Sequence, residues 1–147
     1  MIGAMIAKML IKNAFRDLSN RNIDKFLSAW SEDAVFHYPG TGNAHGTFSG
    51  KPTVRAWFAR MLETYPEIKF DVTNVCVRNI FDITGTNYVI AEWNIRVKRT
   101  DGRVFENKGV STVNLRFGKA NDVWDFIFDL DTVKEAWSLA SPELILD

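Results

Sequence analysis

Two groups of side chains in this sequence have the types and spacing for proton chemistry. Glu92 lies in an alternating run with Tyr88, Ile90, Asn94 and Arg96 on its side. A carboxyl group enclosed among aromatic rings is hard to ionise, so it can give or take a proton near neutral pH. Phe36-His37-Tyr38 is the second group. Histidine is the usual acid–base side chain at neutral pH, and the Tyr38 hydroxyl could donate to a substrate carbonyl. In extended chain Phe36 and Tyr38 share one face and His37 takes the other. Asp129 and Asp131 stand just ahead of a C-terminal helix, where capping accounts for them.

Each group also has a plainer reading. Val89, Ala91, Trp93, Ile95 and Val97 form an unbroken apolar face opposite Glu92 and Asn94, which would make those two the polar outer side. His37 beside the Pro39-Gly40 turn fits a surface role, and Tyr38 fits packing beneath the loop that follows. His45 lies in that glycine-rich loop, and its distance from His37 matches no metal-ligand spacing. The expectation is no metal and no cofactor.

The elements that must hold these groups follow from periodicity. Ala7, Leu10, Ile11, Ala14, Phe15 and Leu18 recur at helical spacing. Asn22 can cap a second helix carrying Ile23, Phe26, Leu27 and Trp30. Ala34–Tyr38 reads as a short strand and 41–50 as a polar loop. Ser49 or Gly50 can start a third helix, with Pro52 in its first turn and Val54, Trp57, Phe58, Met61, Leu62 and Tyr65 on one face, closed by Pro66. The period then changes to two. Residues 68–78, 87–98, 103–117 and 122–128 read as strands, joined by a turn at 82–85, a hairpin at Thr100-Asp101-Gly102 and a turn at 118–121. Thr132 with Glu135 fits a capping box for the last helix. Strands this long must twist and curl, and helices grouped early can cover only one side of the sheet.

Composition removes several function classes. Eighteen basic residues balance eighteen acidic ones, so no general attraction to nucleic acid is expected. The single cysteine, Cys76, excludes an internal disulfide and a multi-cysteine metal site, and its place in an alternating run reads as a buried, inert thiol. No stretch reaches the roughly 18 apolar residues of a membrane span, and Lys8 and Lys12 break the apolar N-terminal run before it reaches signal-peptide length. The expectation is a cytoplasmic chain with no membrane partner. Nineteen aromatic residues (eleven Phe, five Trp, three Tyr) supply enough area for both a core and a pocket lining; Trp30, Trp57, Phe58, Trp124 and Phe126, with Asn94, are candidates for contacts to a bound ligand.

The order of elements, with Phe26-Leu-Ser-Ala-Trp-Ser-Glu-Asp-Ala-Val-Phe36, Phe48-Ser-Gly-Lys51, Ala91-Glu-Trp93, Asp101-Gly102 and Trp124-Asp-Phe-Ile-Phe-Asp129, resembles the nuclear transport factor 2-like superfamily. Within it, the nearest likeness is to the SnoaL-like and ketosteroid isomerase-like proteins. The resemblance implies one α+β domain over 1–147: a curved mixed or antiparallel sheet forming a cone-like half-barrel, covered by N-terminal helices and ended by a short C-terminal helix. It implies a pocket for a small hydrophobic or polyketide-like molecule and a homodimer through the outer sheet face. Two function classes follow. One is a cofactor-independent isomerase, cyclase or dehydratase, with Glu92 as acid or base and Tyr38 or His37 polarising a carbonyl. The other is a non-catalytic ligand-binding or assembly module. Epoxide hydrolase-like relatives place two charged residues where Glu92 and Asn94 stand, and an acid three residues before the position of Asp129. That place is Phe126 here, a departure that argues against epoxide hydrolysis; Asp125, its neighbour, reads as lying on the opposite face.

Overall fold

The computed structural model describes residues 1–144; the last three residues of the expected 1–147 domain lie outside the described residues. The chain runs α1 (Ile2–Ser19), α2 (Ile23–Ser28), β1 (Trp30–Tyr38), β2 (Gly46–Ser49), α3 (Lys51–Thr64), β3 (Glu67–Val77), β4 (Asn87–Lys98), β5 (Val104–Arg116), β6 (Lys119–Ile127) and α4 (Leu130–Ala136). One six-stranded sheet has the order β2-β1-β6-β5-β4-β3. Among the described residues only β1 and β6 pair in parallel; the other pairs are antiparallel. The expected α+β fold, a curved mixed sheet under N-terminal helices with a short last helix, is the fold observed.

Local chemistry explains most boundaries. The Asn22 side chain accepts from the Lys25 N–H at 3.2 Å and starts α2. Gly50 at φ +86° starts α3, with Pro52 in its first turn, and Pro66 ends it. Asp129 rather than Thr132 caps α4: its carboxylate accepts from the Thr132 N–H at 2.9 Å and the Thr132 hydroxyl at 2.8 Å. Glu135, expected to complete a capping box, pairs with Arg103 instead at 2.7 Å. Buried Arg99 donates to the Glu135 carbonyl at 2.7 Å and pairs with Asp101 at 2.6 Å, tying the β4–β5 hairpin to the end of α4.

Three strand readings are corrected. The loop 41–50 contains β2, whose four residues pair with β1. The β5–β6 turn is Phe117-Gly118, not 118–121. In β3 an extra residue at Thr73 shifts the register between Val72 and Asn74. Phe70 and Val72 therefore join Val75 and Val77 on the inner side, and Cys76 is exposed. The expectation of a buried thiol fails because a bulge, invisible to strict alternation, turns the residue outward.

Candidate functional site

Between the helices and the inner face of the sheet lies a cavity of ≈ 110 Å³. Trp30, Tyr38, Trp57 and Phe58 form part of its aromatic wall. They come from β1 and α3, whose aromatic faces interlock edge-on: Phe36 with Trp57 at 4.8 Å, Trp30 with Phe58 at 5.7 Å. The expected lining by Trp30, Trp57 and Phe58 is what the structure places there.

Among the described residues one carboxyl group enters this apolar space, and it is Asp125. It is half-buried by area, and it lines the cavity between Val123 and Ile127 on the inner face of β6. Burial pushes its pKa up to about 7; the Ser111 hydrogen bond pulls the other way. Ser111 stands opposite Asp125 in the β5–β6 register and its hydroxyl donates to Oδ1 at 2.5 Å. The Ser111 oxygen in turn accepts from the Trp93 indole N–H at 2.9 Å. Trp93, Ser111 and Asp125 thus form a relay across three adjacent strands. A carboxyl poised this way gives or takes a proton near pH 7.

Gly109 makes the relay possible. It faces Trp93 across β4 and β5, and a Cβ there would lie 2.6 Å from Trp93 Cη2 and 2.7 Å from the Phe126 carbonyl oxygen. The indole can lie across β5 and reach Ser111 only because position 109 has no side chain.

The second polar group is the Tyr38 hydroxyl. It accepts from the Trp137 indole N–H at 3.2 Å, and its own proton has no acceptor among the described residues. Burial pushes its pKa upward, as it does for Tyr65. The hydroxyl stays protonated and is a ready donor to an oxygen in the cavity. Trp137 is held by rings of Trp57 and Tyr65, both at 5.2 Å, and by the Arg60 guanidinium 5.6 Å from its centroid.

The remaining expected site residues stand elsewhere. Glu92 and Asn94 are exposed on the outer face of β4; the inner face is Val89, Ala91, Trp93, Ile95 and Val97. Glu92 therefore does not reach the cavity, because the uninterrupted apolar alternation of β4 decides its facing. Trp124 and Phe126 also point outward, 44% and 54% exposed. His37 lies on that same side, flat against Trp124 at 3.7 Å, with Nε2 2.8 Å from Asp122 Oδ1 and Nδ1 3.0 Å from Thr47 Oγ1. Of the three expected acid–base residues, only Tyr38 reaches the cavity. Asp125 was missed because both faces of β6 contain apolar residues, and the bulkier face, Trp124-Phe126-Phe128, is the outer one. A signal existed in β5, where Ser111 is in phase with the apolar Phe105, Val113 and Leu115. A hydroxyl facing the core needs a partner on the neighbouring strand.

Comparisons with known proteins agree with this architecture. Residues 11–123 match the SnoaL-like domain. Bal32a from a soil-derived mobile gene cassette superposes with a TM-score of 0.79 at 18% identity, covering 92% of this chain and 98% of that one. TerC, co-crystallised with polyporic acid, gives a TM-score of 0.68 at 18% identity, covering 89% and 97%. A protein of Xanthomonas campestris pv. campestris provisionally named a polyketide cyclase gives 0.70 at 16% identity, covering 92% and 99%. These identities speak to fold alone. No curated protein matches the chain. The match over 11–123 covers most of the sequence, and the chain belongs to the SnoaL-like domain family.

Proposed function

We propose that this protein is a cofactor-independent proton-transfer catalyst, an isomerase, cyclase or dehydratase acting on a small, neutral, largely apolar carbonyl compound. The observation that carries this reading is a single carboxyl group, Asp125, with a pKa of about 7 in an aromatic cavity that also receives the Tyr38 hydroxyl. In the first step the Asp125 carboxylate takes a proton from the carbon beside the substrate carbonyl. The electron pair moves onto the carbonyl oxygen, where the Tyr38 O–H donates a hydrogen bond to the developing oxyanion. Asp125, now protonated, returns the proton to another carbon (isomerisation), to the oxygen of a second carbonyl whose carbon the enolate has attacked to form the ring bond (cyclisation), or to a departing hydroxyl (dehydration). Asp125 thus takes the role expected of Glu92, and Tyr38 keeps its role as polariser. Among the described residues that line the cavity there is no Lys, Arg or His, which favours a neutral ligand over an anion. The neighbours TerC and the provisionally named cyclase are consistent with ring-bearing ligands.

The test is deuterium exchange from D₂O into the α-carbon of small cyclic ketones, followed by NMR. Exchange above the buffer rate, lost in Asp125→Asn and reduced in Tyr38→Phe, is the expected result. No exchange with any ketone of a broad panel, or full exchange by Asp125→Asn, overturns the reading.

A second reading, a non-catalytic ligand-binding or assembly module, draws on two observations. The cavity of ≈ 110 Å³ is smaller than the roughly 300 Å³ at which drug-sized sites begin. The outer sheet face also displays Trp124, Phe126 and Phe128, an apolar patch of the kind a second copy covers. The homodimer belongs to both readings; sedimentation velocity that shows only a 16.8 kDa species at micromolar concentration removes it.

A further inference from the structure

One end of the molecule carries an apolar cap that the cavity chemistry does not use. It is assembled from three separate segments: the first turns of α1, the loop 78–86, and the Phe117-Gly118 hairpin tip. Close backbone approaches lock them together. A Cβ on Gly3 would collide with the Asp82 carbonyl, and one on Gly85 would lie 2.7 Å from the Gly118 nitrogen. The Gly118 N–H also donates to the Gly85 carbonyl at 2.9 Å. On this scaffold Met5 is 70% exposed, Phe81 74%, Ile83 92% and Phe117 76%, with Ile2 and Met9 beside them. Monomeric proteins do not leave that many large apolar side chains together without a partner.

Charge says what partner. The whole chain is neutral, yet the first three turns of α1, the loop and the residues flanking the hairpin tip hold Lys8, Lys12, Arg78, Arg116 and Lys119 against one carboxylate, Asp82. Asp82 is buried and occupied within its own loop, accepting from the Thr84 N–H at 3.0 Å and the Thr84 hydroxyl at 2.7 Å. Arg116 is neutralised by Asp33, both of whose carboxylate oxygens lie 2.7 Å away, and the Lys119 ammonium donates to the Ser28 carbonyl, which leaves Lys8, Lys12 and Arg78 as the cations without an acidic partner among the described residues. An apolar cap rimmed by cations is repelled by a second copy of itself and attracted to an anionic lipid surface.

The hairpin tip is the independent observation. Phe117 has φ +50° and Gly118 φ +77°, the left-handed pair of a two-residue type I′ turn. Asn is the residue that accepts the first position easily; a bulky aromatic there is strained. The strain has no packing return, since Phe117 lies in solvent. It displays a ring at the tip of the cap instead.

We infer that this end of the protein docks onto anionic membrane surfaces, with Phe81, Ile83, Met5 and Phe117 entering the headgroup layer and the lysines and arginines pairing with lipid phosphate and carboxylate. This is peripheral contact: no helix among the described residues is long and apolar enough to cross a membrane. It departs from the expectation of no membrane partner because a window slid along the sequence cannot see a patch built from three segments. Leu10 and Phe15 of α1 also line the cavity, so the helix that touches lipid is the helix that covers the ligand space.

The experiment is co-sedimentation of the purified chain with sonicated vesicles of phosphatidylcholine, with and without 30% phosphatidylserine. Binding at least tenfold tighter to the anionic vesicles, weakening with salt, is expected. Lys8→Glu with Lys12→Glu should lower it further, at about fivefold per cation. Phe81→Ser with Ile83→Ser should reduce it at least tenfold. Phe117→Asn supplies the control that folding defects cannot mimic, since it should raise the melting temperature and yet weaken vesicle binding. No binding to anionic vesicles overturns the inference. So does binding that ignores the Phe81/Ile83 and lysine variants. Self-association abolished by Phe81→Ser with Ile83→Ser, without vesicle binding, overturns it too and marks the cap as a contact between copies.

Discussion

Replacing Asp125 by Asn should stabilise the protein at alkaline pH while removing its proton chemistry. The folded protein holds the Asp125 proton more tightly than the unfolded chain does, with the pKa raised from 3.8 to about 7. Stability from this group is therefore full below about pH 4 and declines as pH climbs through about 7, where the carboxylate must be buried charged. At 1.36 kcal/mol for each tenfold, the loss reaches about 4 kcal/mol by pH 8. The Asn variant keeps the shape and carries no charge, so it escapes the loss. Its amide N–H₂ takes the place of an oxygen that accepted from Ser111, which returns roughly 1–2 kcal/mol. A net gain of about 2–3 kcal/mol at pH 8 remains, or roughly 5–10 °C in melting temperature for a chain of this size. Near pH 4 the gain should vanish or reverse. Circular-dichroism melts of both proteins from pH 4.5 to 8.5 read this directly. Acidic losses from groups such as Asp101, held at about 2 by Arg99, are common to both proteins and cancel in the difference. A difference that does not change with pH refutes the reasoning, because it means water reaches Asp125 freely.

Ser111→Ala removes the hydrogen bond that holds the Asp125 pKa down; because Asp125 acts first as a carboxylate base, the acidic side of any activity–pH profile should move to higher pH, with the unliganded fold retained. Gly109→Ala should cost roughly 1–3 kcal/mol by overpacking and displace the Trp93 indole, which Trp fluorescence and denaturant unfolding can follow. Trp137→Phe leaves the Tyr38 hydroxyl without its N–H donor; turnover should fall more than ligand affinity in steady-state kinetics. Exposed Cys76 should react completely with a thiol reagent in the native protein, with the absorbance of the released dye as the readout.

The fold was legible because its signals are redundant. β4 alternates without a break, Asp101-Gly102 marks the hairpin, and the helices carry clear 3.6-residue stripes. The site was less legible because it depends on which face of a strand turns inward. In β4 the contrast between faces is sharp and points Glu92 outward; only the chemistry of a carboxyl among aromatic rings argues for the inward alternative. In β6 the contrast is weak: Val123-Asp125-Ile127 is less apolar than Trp124-Phe126-Phe128, and the sheet's outer side keeps the larger set. Cys76 failed for a third reason, a single extra residue at Thr73 that inverts the alternation downstream. Each miss concerns facing, a property settled by the neighbouring strand and not by the segment itself.

The parallel pairing of β1 with β6 has a consequence for how the chain is made. β6 lies between β1 and β5, so β1 and β2 have no connection to the rest of the sheet until residues 119–127 arrive. Val35, Phe36 and His37 wait for Asp122, Val123 and Trp124, nearly ninety positions later. During synthesis the Trp30, Phe36 and Trp57 rings have no sheet to pack within, and the unpaired edge of β1 is open to any other strand. Pairings this distant slow folding through the entropy of closing the intervening chain. The last strand is thus the keystone of assembly as well as the carrier of Asp125: chains truncated before β6 should aggregate, and a completed chain acquires its sheet and its acid–base group in the same step.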